Sequence, residues 1–232
     1  MPLVNLKPVL REAKAKGYAV AAFNPVDYAS MKAMVKAAEE LNAPVIIQSS
    51  AKTIKYYGHK AIIGWMREIA GESPVPVVLH LDHGKDVEMI KKCVEMGWTS
   101  VMIDWSDKPF DVNLEQTRKV VDIATKAGIG VEAEIGEINR RTNTPMALHG
   151  GTGLNDEIIQ KCIKLGCAKI NISTNLKHVF IDSFIEYHKK NNKYEPLNVL
   201  GAQYEALKQL FKDKITQFGG ANRGSEVLSK VA

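Results

Sequence analysis

The 232-residue chain is 45% hydrophobic and 25% charged, an ordinary globular balance that excludes a disordered or collagen-like chain. No apolar run approaches the roughly 18 residues of a membrane span, and MPLVNLKPVL lacks the basic-then-apolar layout of a signal peptide, so a cytoplasmic protein with no membrane partner is expected. A net charge of +5 favours anionic ligands slightly but is too small and too scattered to point to nucleic acid.

In chain order, short apolar runs rich in β-branched residues predict strands at Tyr18 to Phe23, Pro44 to Gln48, Pro76 to Leu81, Ser100 to Asp104, Gly130 to Ile135, Pro145 to Leu148 and Ala168 to Ile172. Amphipathic stripes lie between them. One is Tyr28, Met31, Val35, Ala38 and Leu41, stopped by Asn42 and Pro44. Another is Val87, Ile90 and Val94, ended by Gly97, and a third is Leu114, Thr117, Val121 and Ala124, ended by Gly128. Helices are also predicted over Leu176 to Tyr187 and Tyr204 to Phe218, with the tail GGANRGSEVLSKVA loose or packed on a partner. The three cysteines, Cys93, Cys162 and Cys167, have no CxxC spacing and read as buried thiols in helical stretches.

Strand, helix, strand in repetition is the signature of a parallel α/β sheet. Polar and glycine residues follow the strands: Asn24 after Phe23, Asp82-His83-Gly84 after Leu81, His149-Gly150-Gly151 after Leu148, Asn171 after Ile170. Chemistry at the carboxyl ends of parallel strands, with no GxGxxG or P-loop, favours a (β/α)8 barrel of the TIM type over a nucleotide-binding sheet. Chain 1–232 reads as one barrel domain with C-terminal helices from about residue 197. One interval does not fit. Only the nine residues Gly136 to Thr144 separate two of the strands, where a parallel crossover needs about a dozen or more. A βα unit is expected to be absent between Ile138 and Pro145.

Four strings could carry chemistry. In His80-Leu81-Asp82-His83-Gly84, alternation puts His80 and Asp82 on one face, and His83 joins them only if the backbone turns, which Gly84 permits. A histidine beside an aspartate offers a metal ligand and a proton-transfer carboxylate; a hydrogen-bonded polar strand end is the other reading. The glycines of His149-Gly150-Gly151-Thr152-Gly153 let backbone N–H groups approach an anion, or simply form a tight turn before a helix starting near Asn155. Asn171-Ile172-Ser173-Thr174 at a helix start could seat phosphate or only cap the helix. Glu132 and Glu134 share one strand face and, like Asp104, need a cation or a lysine partner. His59, His178 and His188 read as surface or packing residues, and Lys169 as a structural cation ahead of a Schiff-base lysine.

Together GYAVAAFN, PVIIQSS, LHLDHG, GWTSVMIDWSDKPFDVNLEQTRKVV, VEAEIGEI, LHGGTG, AKINIST and LGAQYEALKQLFKDKITQFG resemble the class II, metal-dependent fructose-bisphosphate and tagatose-bisphosphate aldolases along nearly the whole chain. The resemblance implies reversible aldol cleavage of a ketose 1,6-bisphosphate to dihydroxyacetone phosphate and glyceraldehyde 3-phosphate. It implies a zinc ion, with a monovalent cation near the glycine loop in some relatives, and a homodimer or homotetramer. By resemblance Asp82 is the catalytic acid/base, and His83 and His149 are zinc ligands. Asp104 and Glu134 are carboxylates holding a second or displaced metal, with Glu134 a candidate third zinc ligand. Ser50, Gly150, Gly151, Thr152, Asn171, Ile172, Ser173 and Thr174 would bind the substrate. The chain departs from the family pattern after EAEIGEI. The mobile-loop glutamate, the sixth strand and the middle zinc histidine are missing, and Trp105 stands where a glycine is common. A catalytically impaired sugar-phosphate-binding derivative is the alternative expectation.

Overall fold

The computed structural model describes residues 3–134 and 144–231. Its seven strands are β1 (Val20–Phe23), β2 (Val45–Ser50), β3 (Val77–Gly84), β4 (Ser100–Asp104), β5 (Gly130–Glu134), β6 (Met146–Leu148) and β7 (Cys167–Ile172). Each coincides with a predicted run. The helices are α1 (Leu6–Lys16), α2 (Tyr28–Glu40), α3 (Ala51–Tyr57), α4 (His59–Ala70), α5 (Val87–Glu95), α6 (Phe110–Lys126), α7 (Asp156–Lys164), α8 (Thr174–Asn191), α9 (Pro196–Gln217) and α10 (Gly224–Val231). All strand pairs are parallel, in the order β5-β4-β3-β2-β1-β7-β6. In a closed eight-stranded barrel each strand pairs with its sequence neighbours and the last with the first. Here β7 pairs with β1, and every consecutive pair except β5 and β6 is joined among the described residues. The short connection between those two strands falls on residues outside the described ones, apart from Thr144 and Pro145.

Alternation along the strands separates two cores. Ala19, Ala21 and Phe23 point outward to the helices, with Val45, Ile47, Val77 and Leu79 beside them. Val20, Ala22, Ile46, Val78 and Ala168 point inward. There they meet Val4, Leu6, Val9, Leu10 and Ala13 of α1 and its approach, so α1 plugs the amino-terminal end of the sheet. Val4 N–H donating to the Val77 carbonyl ties that plug to β3. Helix α2 starts with a capping box in which Asp27 and Ser30 satisfy each other's backbone donors, and it buries Met31, Met34, Val35 and Ala38. Phe211 of α9 packs its ring 4.7 Å from Phe23.

Three expectations change. The predicted α6 stripe runs instead through Asn113, Val120 and Ala124, which are buried, while Val121 is 40% exposed. A periodicity count of apolar residues passes over Asn113, whose buried amide donates to the Glu134 carbonyl. Cys167 opens a strand rather than a helix, although all three cysteines are free thiols. The tail is not loose: Asn222 N–H bonds the Leu41 carbonyl, α10 follows, and Val227 is buried against the α1 core. No described helix is long and apolar enough to cross a membrane.

Phe211 is fully buried. Phe211→Ala should therefore cost about 3–5 kcal/mol through lost burial and the cavity left behind. The measurement is the urea midpoint, and it should fall without a change in the slope of stability against denaturant.

Candidate active site

The inward-facing side chains are stratified. Above the apolar plug lies a buried polar layer, with Gln48 beside His80 and His80 beside Ser100 in the strand register. His80 is wholly buried, with Nδ1 2.8 Å from Ser100 Oγ and Nε2 3.5 Å from Glu132 Oε2. Lys169, also wholly buried, places Nζ 2.9 Å from the same Glu132 oxygen. Lys169 is thus the cation that the Glu132 carboxylate needs, in keeping with the structural reading of both residues. Burial pushes the His80 pKa down to about 3, with Lys169 adding to the effect. Burial would raise the Glu132 carboxyl, but the Lys169 ammonium and the hydrogen bond from His149 outweigh it and hold the group well below the usual carboxylate range.

The mouth lies at the carboxyl ends of the strands, around a cavity of about 210 Å³ lined by Asn24, Asp82, His83, His149, Gly150, Thr152, Asn171, Ser173 and Thr174. Asp82 extends the inward face of β3. Its Oδ2 accepts from Asn24 Nδ2 at 2.8 Å, and Asn24 in turn accepts from Gln48 Nε2 at 2.9 Å. Asp82 Oδ1 is buried with no partner among the described residues. The turn that brings His83 to the site is at His83 itself, not at Gly84. His83 adopts a left-handed backbone, φ 50, and the β3–β4 register slips between Leu81 and Gly84. Gly84 serves the sheet instead. A Cβ there would stand 2.5 Å from the Met102 carbonyl oxygen, so only glycine lets β3 close on β4 after the bulge.

The two mouth imidazoles face each other. His83 Nδ1 lies 2.7 Å from Asp104 Oδ2 and 3.4 Å from Glu134 Oε2. His149 Nε2 lies 2.9 Å from Glu132 Oε1. Each outer nitrogen therefore donates to a carboxylate, and the inner pair, His83 Nε2 and His149 Nδ1, lie 3.0 Å apart: a hydrogen bond where one ring carries a second proton, two facing lone pairs where both rings are neutral. Asn171 Nδ2 also approaches His149 Nδ1 at 3.0 Å. Donor atoms of Asp82, His83 and His149 lie within 4.8 Å of one another, as do those of His83, Asp104 and Glu134. Asp104 is held low despite burial, because Ser106 and His83 donate to it.

The remaining predicted residues divide. Gly150 and Thr152 line the cavity, whereas Gly151 sits against β7 with its N–H given to the Asn171 carbonyl. Ser173 and Thr174 line the cavity at the start of α8, and Ser173 makes no side-chain capping bond, so simple capping is not its role. Ile172 is buried in the outer core. Ser50 is beside Asp82 in register but caps α3, accepting from Thr53 N–H. Sequence reasoning does not single out Asn24 and Gln48 as site residues, yet they orient Asp82. The signal for Asn24 is a polar residue ending a strand. His59 packs near Trp98 and Cys93, away from the mouth.

A family model described as "Fructose-bisphosphate aldolase class-II" matches residues 4–144 and 137–223, two pieces that overlap over 137–144, between β5 and β6. The fructose-bisphosphate aldolase of Staphylococcus epidermidis is 32% identical, over 96% of this chain and 99% of its own. The probable fructose-bisphosphate aldolase of Bacillus subtilis is also 32% identical, over 96% and 100%. The alignment with the former spans 286 positions, more than this chain has residues. Among solved structures, the YdjI aldolase from Escherichia coli K12 superposes with a TM-score of 0.86 at 27% identity, covering 96% of this chain and 99% of that one.

The buried layer makes stability pH-dependent. An unfolded His80 takes a proton near its ordinary value of 6.5, but the folded one does not until about 3. Between those values the unfolded state binds more protons, so stability falls as the pH falls. Glu132 adds a further loss below its unfolded value of 4.5, as its depressed folded value is approached. Urea midpoints of chelator-treated protein should decline from pH 6.5 toward pH 3, and His80→Gln should flatten the upper part of that decline.

Proposed function

The chain belongs to the class II fructose-bisphosphate aldolase family, and on that premise we propose that it is a zinc-dependent lyase. It cleaves a ketose 1,6-bisphosphate, of fructose or tagatose, to dihydroxyacetone phosphate and glyceraldehyde 3-phosphate. The observation that carries the reading is the facing pair of imidazoles. Two ring nitrogens 3.0 Å apart, each backed by a carboxylate, need a positive charge to share, either a proton on one ring or a cation bound beside both. The donor set fits a metal: two nitrogens whose outer positions are fixed by carboxylates, as ligating histidines require, and a carboxylate, Asp82, within reach. His83 Nε2 and His149 Nδ1 would hold the ion. Asp104 and Glu134 gather on the other side of the His83 ring, where they orient it or hold a displaced ion.

When bound, the metal supplies Lewis acidity toward the carbonyl and hydroxyl oxygens of the triose half. The chain's own residues do the rest. Asp82 Oδ1, free of partners among the described residues, takes the proton of the C4 hydroxyl as the C3–C4 bond breaks, and the bonding electrons stay with the triose carbon. Asn24 holds the other oxygen of Asp82 and keeps the carboxylate aimed at the cavity. The backbone donors at the start of α8, with Ser173, Thr174, Gly150 and Thr152, seat a phosphate, where the helix dipole favours negative charge. Ser50, beside Asp82, would touch the substrate only by giving up its cap.

A second reading is favoured by the β5–β6 edge, unpaired among the described residues, the two-piece family match and the surplus of aligned positions in the relative. These support the absence of one βα unit, and with it a proton-carrying loop group. The protein would then bind sugar phosphate but turn over poorly. A coupled assay for dihydroxyacetone phosphate separates the two. The lyase reading expects cleavage abolished by a chelator and restored by zinc, and a fall of at least about 100-fold in kcat with Asp82→Ala. Phosphate-ligand binding without cleavage supports the second reading. Metal analysis should give stoichiometric zinc that is lost in His83→Ala; purified protein without zinc would overturn the metal site.

A further inference from the structure

We propose that Glu132 is a positioning residue: its carboxylate selects the tautomer of His149 that leaves Nδ1 free to bind metal. The inference rests on the proposed metal site but concerns a group outside the ligand set. Glu132 comes from β5, and its side chain is 12% exposed. Its two oxygens are divided. Oε2 faces the Lys169 ammonium of β7 at 2.9 Å and His80 of β3 at 3.5 Å. Oε1 faces His149 Nε2 at 2.9 Å. A carboxylate with an ammonium on one oxygen can only accept at the other, so Nε2 must carry the hydrogen. In a neutral imidazole that leaves Nδ1 with its lone pair, aimed at His83 Nε2 and the cavity. The Asn171 amide, donating to Nδ1 from 3.0 Å, favours the same tautomer.

The opposite tautomer would set the Nε2 lone pair against a buried carboxylate and an N–H against the Asn171 amide hydrogens, two repulsions in place of two bonds. His149 is followed by Gly150 in a left-handed conformation, so its backbone turns away directly and does little to orient the ring. Glu132 and Asn171 supply that orientation. Lys169, which carries no step of the proposed reaction, has a use here: it holds the Glu132 carboxylate in place from the opposite wall of the interior.

The test uses full-length protein labelled with 15N-histidine and freed of metal by a chelator. Two-bond 1H–15N correlations report which ring nitrogen of His149 is protonated, and zinc affinity is measured separately by competition with a chromophoric chelator. The parent should show the Nε2–H form. Glu132→Gln, whose amide can donate to Nε2, should lose or invert that preference and weaken zinc binding by about 10- to 100-fold. Glu132→Asp should recover part of both. Because Glu132→Gln leaves the buried Lys169 without its partner, Glu132→Gln/Lys169→Met supplies a neutral background that should fold and show the same two losses. An Nδ1–H form in the parent, or unchanged tautomer and affinity in either Gln variant, would overturn the proposal. Zinc affinity that survives His149→Ala would instead overturn the metal-site reading, and the tautomer assignment would stand or fall on its own.

Discussion

The Glu132 carboxylate has contacts from three directions inside the sheet: Lys169 from β7, His80 from β3 and His149 from the end of β6. A buried charge of this kind is tolerable only because it is paired and hydrogen-bonded, and removing one partner of such a pair costs about 3–5 kcal/mol. Its place in the molecule raises its importance. Strand β5 has no backbone ladder to β6 among the described residues, so the walls on either side of that opening are linked through side chains. Glu132 makes the link at the level where the apolar plug gives way to the mouth. The same carboxylate that joins the walls reaches the histidine at the rim.

From that layer upward each group is aimed by the one beneath. Gln48 donates to Asn24, Asn24 to Asp82, and Asp82, which lines the cavity, is left with one buried oxygen without a partner among the described residues. On the other side Asp104 fixes His83 and Glu132 fixes His149, and the two rings meet. Parallel strands make this possible. All of them end on the same rim, so residues far apart in the chain, from Asn24 to Thr174, converge within one cavity. The class II aldolase family to which the chain belongs is a family of metal-dependent lyases, and a cavity of this make-up is consistent with that membership.

Five of the seven strands are buried, and a buried parallel strand reads as a largely apolar run against amphipathic neighbours; β5 and β6 are only partly buried and are marked by short runs instead. The rim residues Asp82, His83, His149, Ser173 and Thr174 are legible because polar residues and glycine interrupt those runs at their ends. Other features leave weaker marks. Sequence reasoning assigns the turn at His83 to Gly84, since glycine is the usual left-handed residue and a histidine at φ 50 is not expected from sequence. Helix α10 escapes it because it is only eight residues long and follows a glycine-rich stretch that reads as loop; it buries Val227 in the same core as α1. In α6 the inward face includes Asn113, which no apolar count includes.

What the sequence determined alone is the order of the strands, the end of the sheet where polar residues gather, the family resemblance and the short interval Gly136 to Thr144. These follow from local pattern: period, punctuation and motif. Helices α1, α3, α4 and α10 it did not reveal. Which partners the charges find was decided by tertiary structure. Period two puts Glu132 and Glu134 on one face, yet one reaches Lys169 and His149 and the other His83. Gly151 and Ile172 stand inside predicted substrate strings, yet one spends its N–H on β7 and the other packs in the outer core. Residues distant in the chain acquire their roles only when curvature of the sheet brings them within hydrogen-bond range, and no spacing along a single chain encodes that distance.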